Sequence, residues 1–301
     1  MKRIVVPIDG SGFAERAIPV AVDLANRTGA SLVLVGVHET RLDQRVFGDE
    51  PRAEYDREAT LRHLENQARQ LGSVGGMPVI YEMLQGHPAE ALSGWIARSH
   101  PDLVVMTTHG RGPWSRFWLG SVADSLLRRT THPILLIRPN EQTALASGWK
   151  RILVPVDLSV GSATVLETIG PLARLFGTEV SLLLVVPQAP VAGAGLGLEA
   201  PAALAEYTER YVATAEASLA RQVDTLCAGG LRASFRVRIG EGAAEVIVAE
   251  VATGAYDAVA LATRAPTGLP RLLLGSVADK VVRAVGVPVL VTHVPTAATP
   301  G

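Results

Sequence analysis

The chain has 301 residues, 48% of them hydrophobic and 19% charged, which suits about two globular domains with sizeable aliphatic cores and excludes a disordered or low-complexity chain. A formal net charge of −1 gives no electrostatic case for nucleic acid or an anionic membrane, and the single cysteine, Cys227, forms neither an internal disulfide nor a CxxC metal pair. No apolar run approaches the ~20 residues of a membrane span, and Met1–Pro7 reaches Asp9 too soon for a signal peptide, so the expectation is a soluble chain in a reducing, cytoplasmic compartment.

The elements alternate from the start. Ile4–Ile8 is a continuous apolar run, as befits a parallel strand covered on both faces. Ala14, Ala17, Ala21, Leu24 and Ala25 follow at helical spacing, with Pro19 either kinking that helix or restricting where it begins. Ser31–Val37 predicts a second strand. A charged loop then leads to a helix with Leu61, Leu64, Ala68 and Leu71 on one side. Val79–Leu84 predicts a strand, Ala89–Ser99 a helix, Leu103–Met106 a strand, Ser121–Thr130 a helix and Ile134–Ile137 a last strand. A polar linker runs near Asn140–Gly148. Strands recur near Ile152–Val156, Val180–Val185, Phe235–Ile239, Ala258–Leu261 and Val289–Val291. Such alternation predicts parallel sheets with helices on both faces.

The second half repeats the first. Arg3-Ile4-Val5-Val6-Pro7-Ile8-Asp9 returns as Arg151-Ile152-Leu153-Val154-Pro155-Val156-Asp157, and Leu119-Gly120-Ser121-Val122-Ala123-Asp124 returns unchanged as Leu274-Gly275-Ser276-Val277-Ala278-Asp279. The offset grows from 148 to 155, and the Gly/Ala-rich stretch Val191–Pro201 is the expected place for much of the surplus. A period this long means two copies of a domain, at 1–140 and 150–295, and not a solenoid.

In open parallel sheets ligands lie beyond the carboxyl ends of the strands, where the strand order reverses. That rule puts Asp9, Val37 and the loop after Met106 on one rim. The stretch from Met106 to Ala123 runs strand, glycine-bounded loop, helix, which presents backbone N–H groups and a positive dipole end to an anion. Gly120 would admit a phosphate closely, and the Ser121 hydroxyl would add a donor. The competing account is a βα loop whose glycines serve turn geometry alone.

Thr108-His109-Gly110 followed by nine residues and Gly120-Ser121, together with the strand Ile4-Val5-Val6-Pro7-Ile8-Asp9-Gly10-Ser11, resembles the nucleotide loop and first strand of the universal stress protein family. The resemblance covers nearly the whole chain, twice. It implies a tandem protein of two doubly wound α/β domains, each a five-stranded parallel sheet of order 3-2-1-4-5, of the adenine-nucleotide alpha-hydrolase-like fold. It also implies ATP as ligand, since some members bind it, while others lack the loop glycines and do not. Carried over by position, Asp9 is the acidic residue on the adenine side, with capping of the next helix as its alternative role. Val37 is an apolar wall for the base, and Gly110, Gly120 and Ser121 are the phosphate-loop positions. Thr107 stands where the family has its first loop glycine, a departure that matters if positive φ is needed there. The implied ligand-facing set is Asp9, Val37, Met106, Thr107, His109, Gly110, Arg111, Gly120, Ser121 and Val122, with Asp157, Val185, Gly275 and Ser276 in the second copy. Arg111 and Arg116 either meet the polyphosphate or remain solvated. His109 either touches the ligand or packs structurally. Mg²⁺ would accompany ATP, although nothing in the sequence demands it.

The second copy has Ala262-Thr263-Arg264-Ala265 in place of Thr107-Thr108-His109-Gly110, and Pro266 and Pro270 lack N–H donors. A phosphate draws about 1.5–3 kcal/mol from each charge-assisted bond. Losing one or two weakens binding roughly tenfold to several hundredfold. The expectation is one competent site in the first copy and a degenerate one in the second, unless Arg264 compensates. No G-x-x-x-x-G-K-[ST] occurs, Gly193–Gly197 has the wrong spacing for a dinucleotide fingerprint, and the seven histidines lack metal-ligand spacing. No acid–base or nucleophile set can be assembled, so no catalytic residue is assigned. Trp114, Phe117 and Trp118 form a lid, a partner surface or packing for their own loop. The function expected is regulatory ATP binding in stress response. The alternatives are a nucleotide-free interaction or scaffold protein, and a slow ATPase. The resemblance also implies pairing of domains through the last strand, so Ile134–Ile137 and Val289–Val291 are expected to pair within the chain as a pseudo-dimer that hides two sheet edges, with homodimerisation also open.

Overall fold

A computed structural model describes residues 1–39, 50–108, 119–138, 148–157, 161–188, 201–264 and 274–294. Within these residues the chain forms ten strands and eight α-helices. The first copy contains β1 (Arg3–Ile8), α1 (Ala17–Thr28), β2 (Ser31–His38), α2 (Glu50–Gly75), β3 (Val79–Gln85), α3 (Pro88–Ser99), β4 (Leu103–Thr107), α4 (Ser121–Leu127) and β5 (Ile134–Ile137). The second contains β6 (Arg151–Val156), α5 (Gly161–Phe176), β7 (Glu179–Pro187), α6 (Pro201–Ala228), β8 (Arg232–Gly240), α7 (Ala243–Ala252), β9 (Ala258–Arg264), α8 (Ser276–Ala284) and β10 (Val289–Val294).

The chain divides into two compact units. The first comprises Met1–Ser147 and takes in β10 from Leu290. The second comprises Gly148–Thr263 and Gly275–Val289. In the first unit the strand order is β3-β2-β1-β4-β5, with β10 next to β5, the neighbour relation that the resemblance implies. In the second the order is β8-β7-β6-β9. The strands neighbouring β1 and β6 pair with them in parallel: Val5 lies opposite Val33 and Val104, and Leu153 lies opposite Ser181 and Val259. The central strands are buried on both faces, as their continuous apolar runs require. Ile4, Leu32, Leu34, Leu103 and Ile134 are wholly enclosed in one unit, and Ile152, Leu153, Val180 and Val259 in the other.

The repeat extends to its hydrogen bonds. Asp102 Oδ2 accepts from the N–H groups of Lys2 and Arg3 at 2.7 and 2.9 Å, and Asp257 Oδ2 accepts from Lys150 and Arg151 at the same distances. These carboxylates tie the amino end of each unit's central strand to the turn before the neighbouring strand. Pro19 falls in the first turn of α1, where its missing N–H has no intrahelical acceptor, so it restricts where the helix begins and does not break it. α4 ends at Leu127 and not at Thr130, because Arg128 and Arg129 turn back onto the carbonyls of Ser125 and Leu126.

Candidate functional site

The site is built on a reversal of direction. From the central strand β1, the chain runs outward on one side to β2 and β3 and on the other to β4 and β5. A crevice therefore opens at the carboxyl ends of β1 and β4. At the end of β1, Gly10 takes φ 73°, a backbone state that suits glycine. The turn lets Asp9 Oδ1 accept from Ser11 N–H at 2.9 Å and from Ser11 O–H at 2.6 Å, while Ser11 Oγ accepts from Ala14 N–H at 3.2 Å. Asp9 therefore closes an Asx turn ahead of α1, in which Ser11 takes the Ala14 N–H, and it stays exposed on the rim. Val37, half-buried near the end of β2, lies opposite Leu84.

On the other side, Met106 and Thr107 close β4. Both are buried, and they lie opposite Leu136 and Ile137. Thr107 continues the strand. The only non-glycine residue with positive φ among the described residues is His100, so the replacement of a glycine by Thr107 costs no backbone strain here. Gly120 donates its N–H to the Thr108 carbonyl at 2.6 Å, which draws the start of α4 against the end of β4. Ser121 is exposed, Val122 is half-buried, and no side chain caps the helix. His109, Gly110, Arg111, Trp114, Arg116, Phe117 and Trp118 lie outside the described residues.

The second copy reproduces the described part closely. Gly275 adopts φ −57°, ψ 149°, against −58° and 148° at Gly120. The Gly275 N–H donates to Thr263 Oγ1 at 3.1 Å, and Ser276 opens α8. Asp157 meets Ser162, which donates to Oδ1 at 3.2 Å, and Val185 is half-buried on β7. The positions on which the copies differ most, 265–273, lie outside the described residues, as do 191–200.

One part of the site is not marked by any motif. A cavity of about 200 Å³ opens beside the end of β1, lined by Ile8, Asp9 and Gly10 and, from α2, by Ala59, Thr60, His63 and Leu64. His63 Nε2 lies 2.8 Å from Glu15 Oε1 across this wall. α2 approaches closely because β2 carries Gly36: a Cβ there would stand 2.8 Å from Leu64 Cδ1. Among the described residues, no three His, Cys, Asp or Glu side chains converge on a metal position, and no helix is long and apolar enough to cross a membrane.

Fold and rim define a tandem α/β protein whose two copies each present a crevice at a reversal of strand order. The universal stress protein family model matches residues 1–138 and again 148–293, and the chain belongs to that family. A universal stress protein of Thermus aquaticus is 33% identical over 138 residues, covering 46% of this chain and 98% of its own. A universal stress protein of Archaeoglobus fulgidus shares the fold over 97% of this chain and 98% of its own, with a TM-score of 0.71 at 16% identity. A Pseudomonas aeruginosa protein described as a putative universal stress protein does so over 97% and 93%, with a TM-score of 0.68 at 18% identity.

Proposed function

We propose that the chain is a cytoplasmic regulator of stress response that binds an adenine nucleotide, ATP first, at the rim of its first copy (1–140), and that the second copy (150–295) is the weaker site. The observation that supports this most is that Asp9, Val37, Met106 and the Gly120–Ser121 helix start all stand at the carboxyl-end rim of one sheet, with Asp9 lining a cavity of about 200 Å³. Asp9 and Val37 would face the base, and the N–H groups opening α4 would face phosphate. Any Mg²⁺ would be held mainly by phosphate oxygens and water, with at most a carboxylate from the protein. Occupancy would then bias the surface around the crevice and so signal to a partner.

Denaturing the freshly purified full chain and identifying the released nucleotide is the first test, followed by ATP titration of the unaltered chain, Gly120→Val and Gly275→Val. Loss of binding in the first variant with retention in the second is expected. Equal loss in both variants removes the asymmetry, and the absence of any bound or titratable nucleotide removes the proposal. A second reading, a nucleotide-free interaction protein, is favoured by one specific feature: the Gly120 and Gly275 N–H groups are already bonded within the fold. The same titration separates the two. Release of ADP from added ATP would point to slow turnover instead.

A further inference from the structure

The cavity beside β1 has two walls of different origin. One is the strand end and its turn, which the rim rule identifies. The other is a face of α2, about 50 residues further along the chain. Sites that enclose a whole drug-sized ligand run about 300–1,000 Å³. A cavity of about 200 Å³ suits one ring system, a base or a sugar, and leaves the phosphates outside. On the α2 wall, His63 is one of two polar side chains, with Thr60. Its Nε2 is enclosed and 2.8 Å from Glu15 Oε1, yet it is not aligned for a hydrogen bond. Glu15 thus occupies the Nε2 side of the ring, and Nδ1 is the nitrogen left to a ligand in the cavity that His63 lines. The second copy has no such arrangement: at the offset of 148 that relates β1 to β6, Glu15 becomes Ala163.

We infer that His63, held by Glu15, is a specificity-determining residue that hydrogen-bonds the nucleoside portion of the ligand from the α2 side of the cavity. The inference rests on the nucleotide reading above and adds to it a residue and a source of asymmetry independent of the glycine loop. Thr60 shares the wall, and Leu64, seated against Gly36, fixes how deeply it stands.

The test uses the full chain and three probes: ATP, adenosine and inorganic tripolyphosphate. His63→Leu should weaken ATP and adenosine binding alike, by about tenfold for one lost hydrogen bond, and leave tripolyphosphate unchanged. His63→Gln, which keeps a donor, should recover part of the loss. Glu15→Gln should weaken binding in the unaltered background and add nothing to His63→Leu, because the two act as a unit. In the unaltered chain, the imidazole proton resonances of His63 should move with adenosine and stay put with tripolyphosphate, a readout independent of how the variants fold. Unchanged adenosine affinity in His63→Leu, or immobile resonances, overturns this inference while ATP binding by the unaltered chain keeps the nucleotide reading. An unaltered chain that binds none of the three probes overturns both.

Discussion

Glu250 brings a carboxylate into a nearly closed environment, 7% exposed, on α7. Three donors meet it there: Arg238 Nε at 3.0 Å, Arg236 Nη1 at 3.4 Å and the Tyr256 hydroxyl at 3.0 Å. A carboxylate this enclosed is tolerable only when its lone pairs are taken up. Both arginines are more than 40% exposed, so water screens them and the figure of 3–5 kcal/mol for breaking a deeply buried pair is too high here. Glu250→Ala should cost about 1–3 kcal/mol, the desolvation penalty of groups left without partners, read as a lower urea midpoint. Tyr256 offers a second readout. Burial first, then the bond to Glu250 and its charge, push the phenol above its ordinary value, against opposing effects of Ser181 and Arg236. Glu250→Gln should bring it down. The stability attached to this shift is complete below the ordinary phenol value of about 10 and is lost as pH rises through the folded value.

Among elements, the placing of α2 depends on one missing side chain. Gly36 faces Leu64 at a separation that a methyl group would violate, and in β7 the same register position holds the buried Leu184. Gly36→Ala should displace α2, cost about 1–3 kcal/mol as overpacked sites do, and deform the cavity beside Asp9. A melting temperature equal to that of the unaltered chain would show that Leu64 simply rotates away. The central strands were legible in the sequence because burial on both faces writes them as apolar runs, and the outer strands less so. β8 begins at Arg232, three residues before the apolar stretch from Phe235, because an edge strand turns arginines outward. Register shows what the sequence hides: Glu82 lies opposite Val35 and Arg236 opposite Leu183, so the two are equivalent. Glu82 accepts from Trp95 Nε1 at 2.5 Å, whereas Arg236 bonds Glu250, which occupies the place of Trp95 in the other copy. The helix-to-edge contact persists with its chemistry inverted, and no periodicity carries that. Asp9, Val37 and Gly120 were legible because topology alone sends them to the rim. His63 was not, because its distance from Asp9 in the chain is closed only by the packing of α2 over Gly36.

At the scale of the whole molecule, acid should act unequally on the two units. Two histidines with lowered pKa belong to the first. His132 is held down by burial and then by His100, whose ring centroid is 5.5 Å away, and its Nδ1 lies 3.1 Å from Thr130 Oγ1. His293, on β10, is held down by burial, which outweighs its bond to Leu127. The Leu127 carbonyl can only accept, so Nε2 carries the proton at 2.9 Å, and the enclosed Nδ1 finds no partner. Adding a proton there would leave a buried charge with an unmatched donor. The sign follows from the depressed values. Above the unfolded histidine pKa of about 6.5 the neutral rings contribute in full, and below it that stability drains away as pH falls through the folded values. In the second copy, Val287 and Ala255 stand where His132 and His100 stand in the first, so that unit has no equivalent pair to protonate. Hydrogen exchange of the full chain at about pH 7.5 and pH 5.5, corrected for intrinsic rates, should show α4 and β5 losing protection on acidification while β6 and β7 hold theirs. His132→Val, which installs the residue of the second copy, should flatten the response around β5, leaving the part due to His293. If β6 and β7 lose protection as steeply as β5, acid is acting on something common to both copies, and these two rings are not its target.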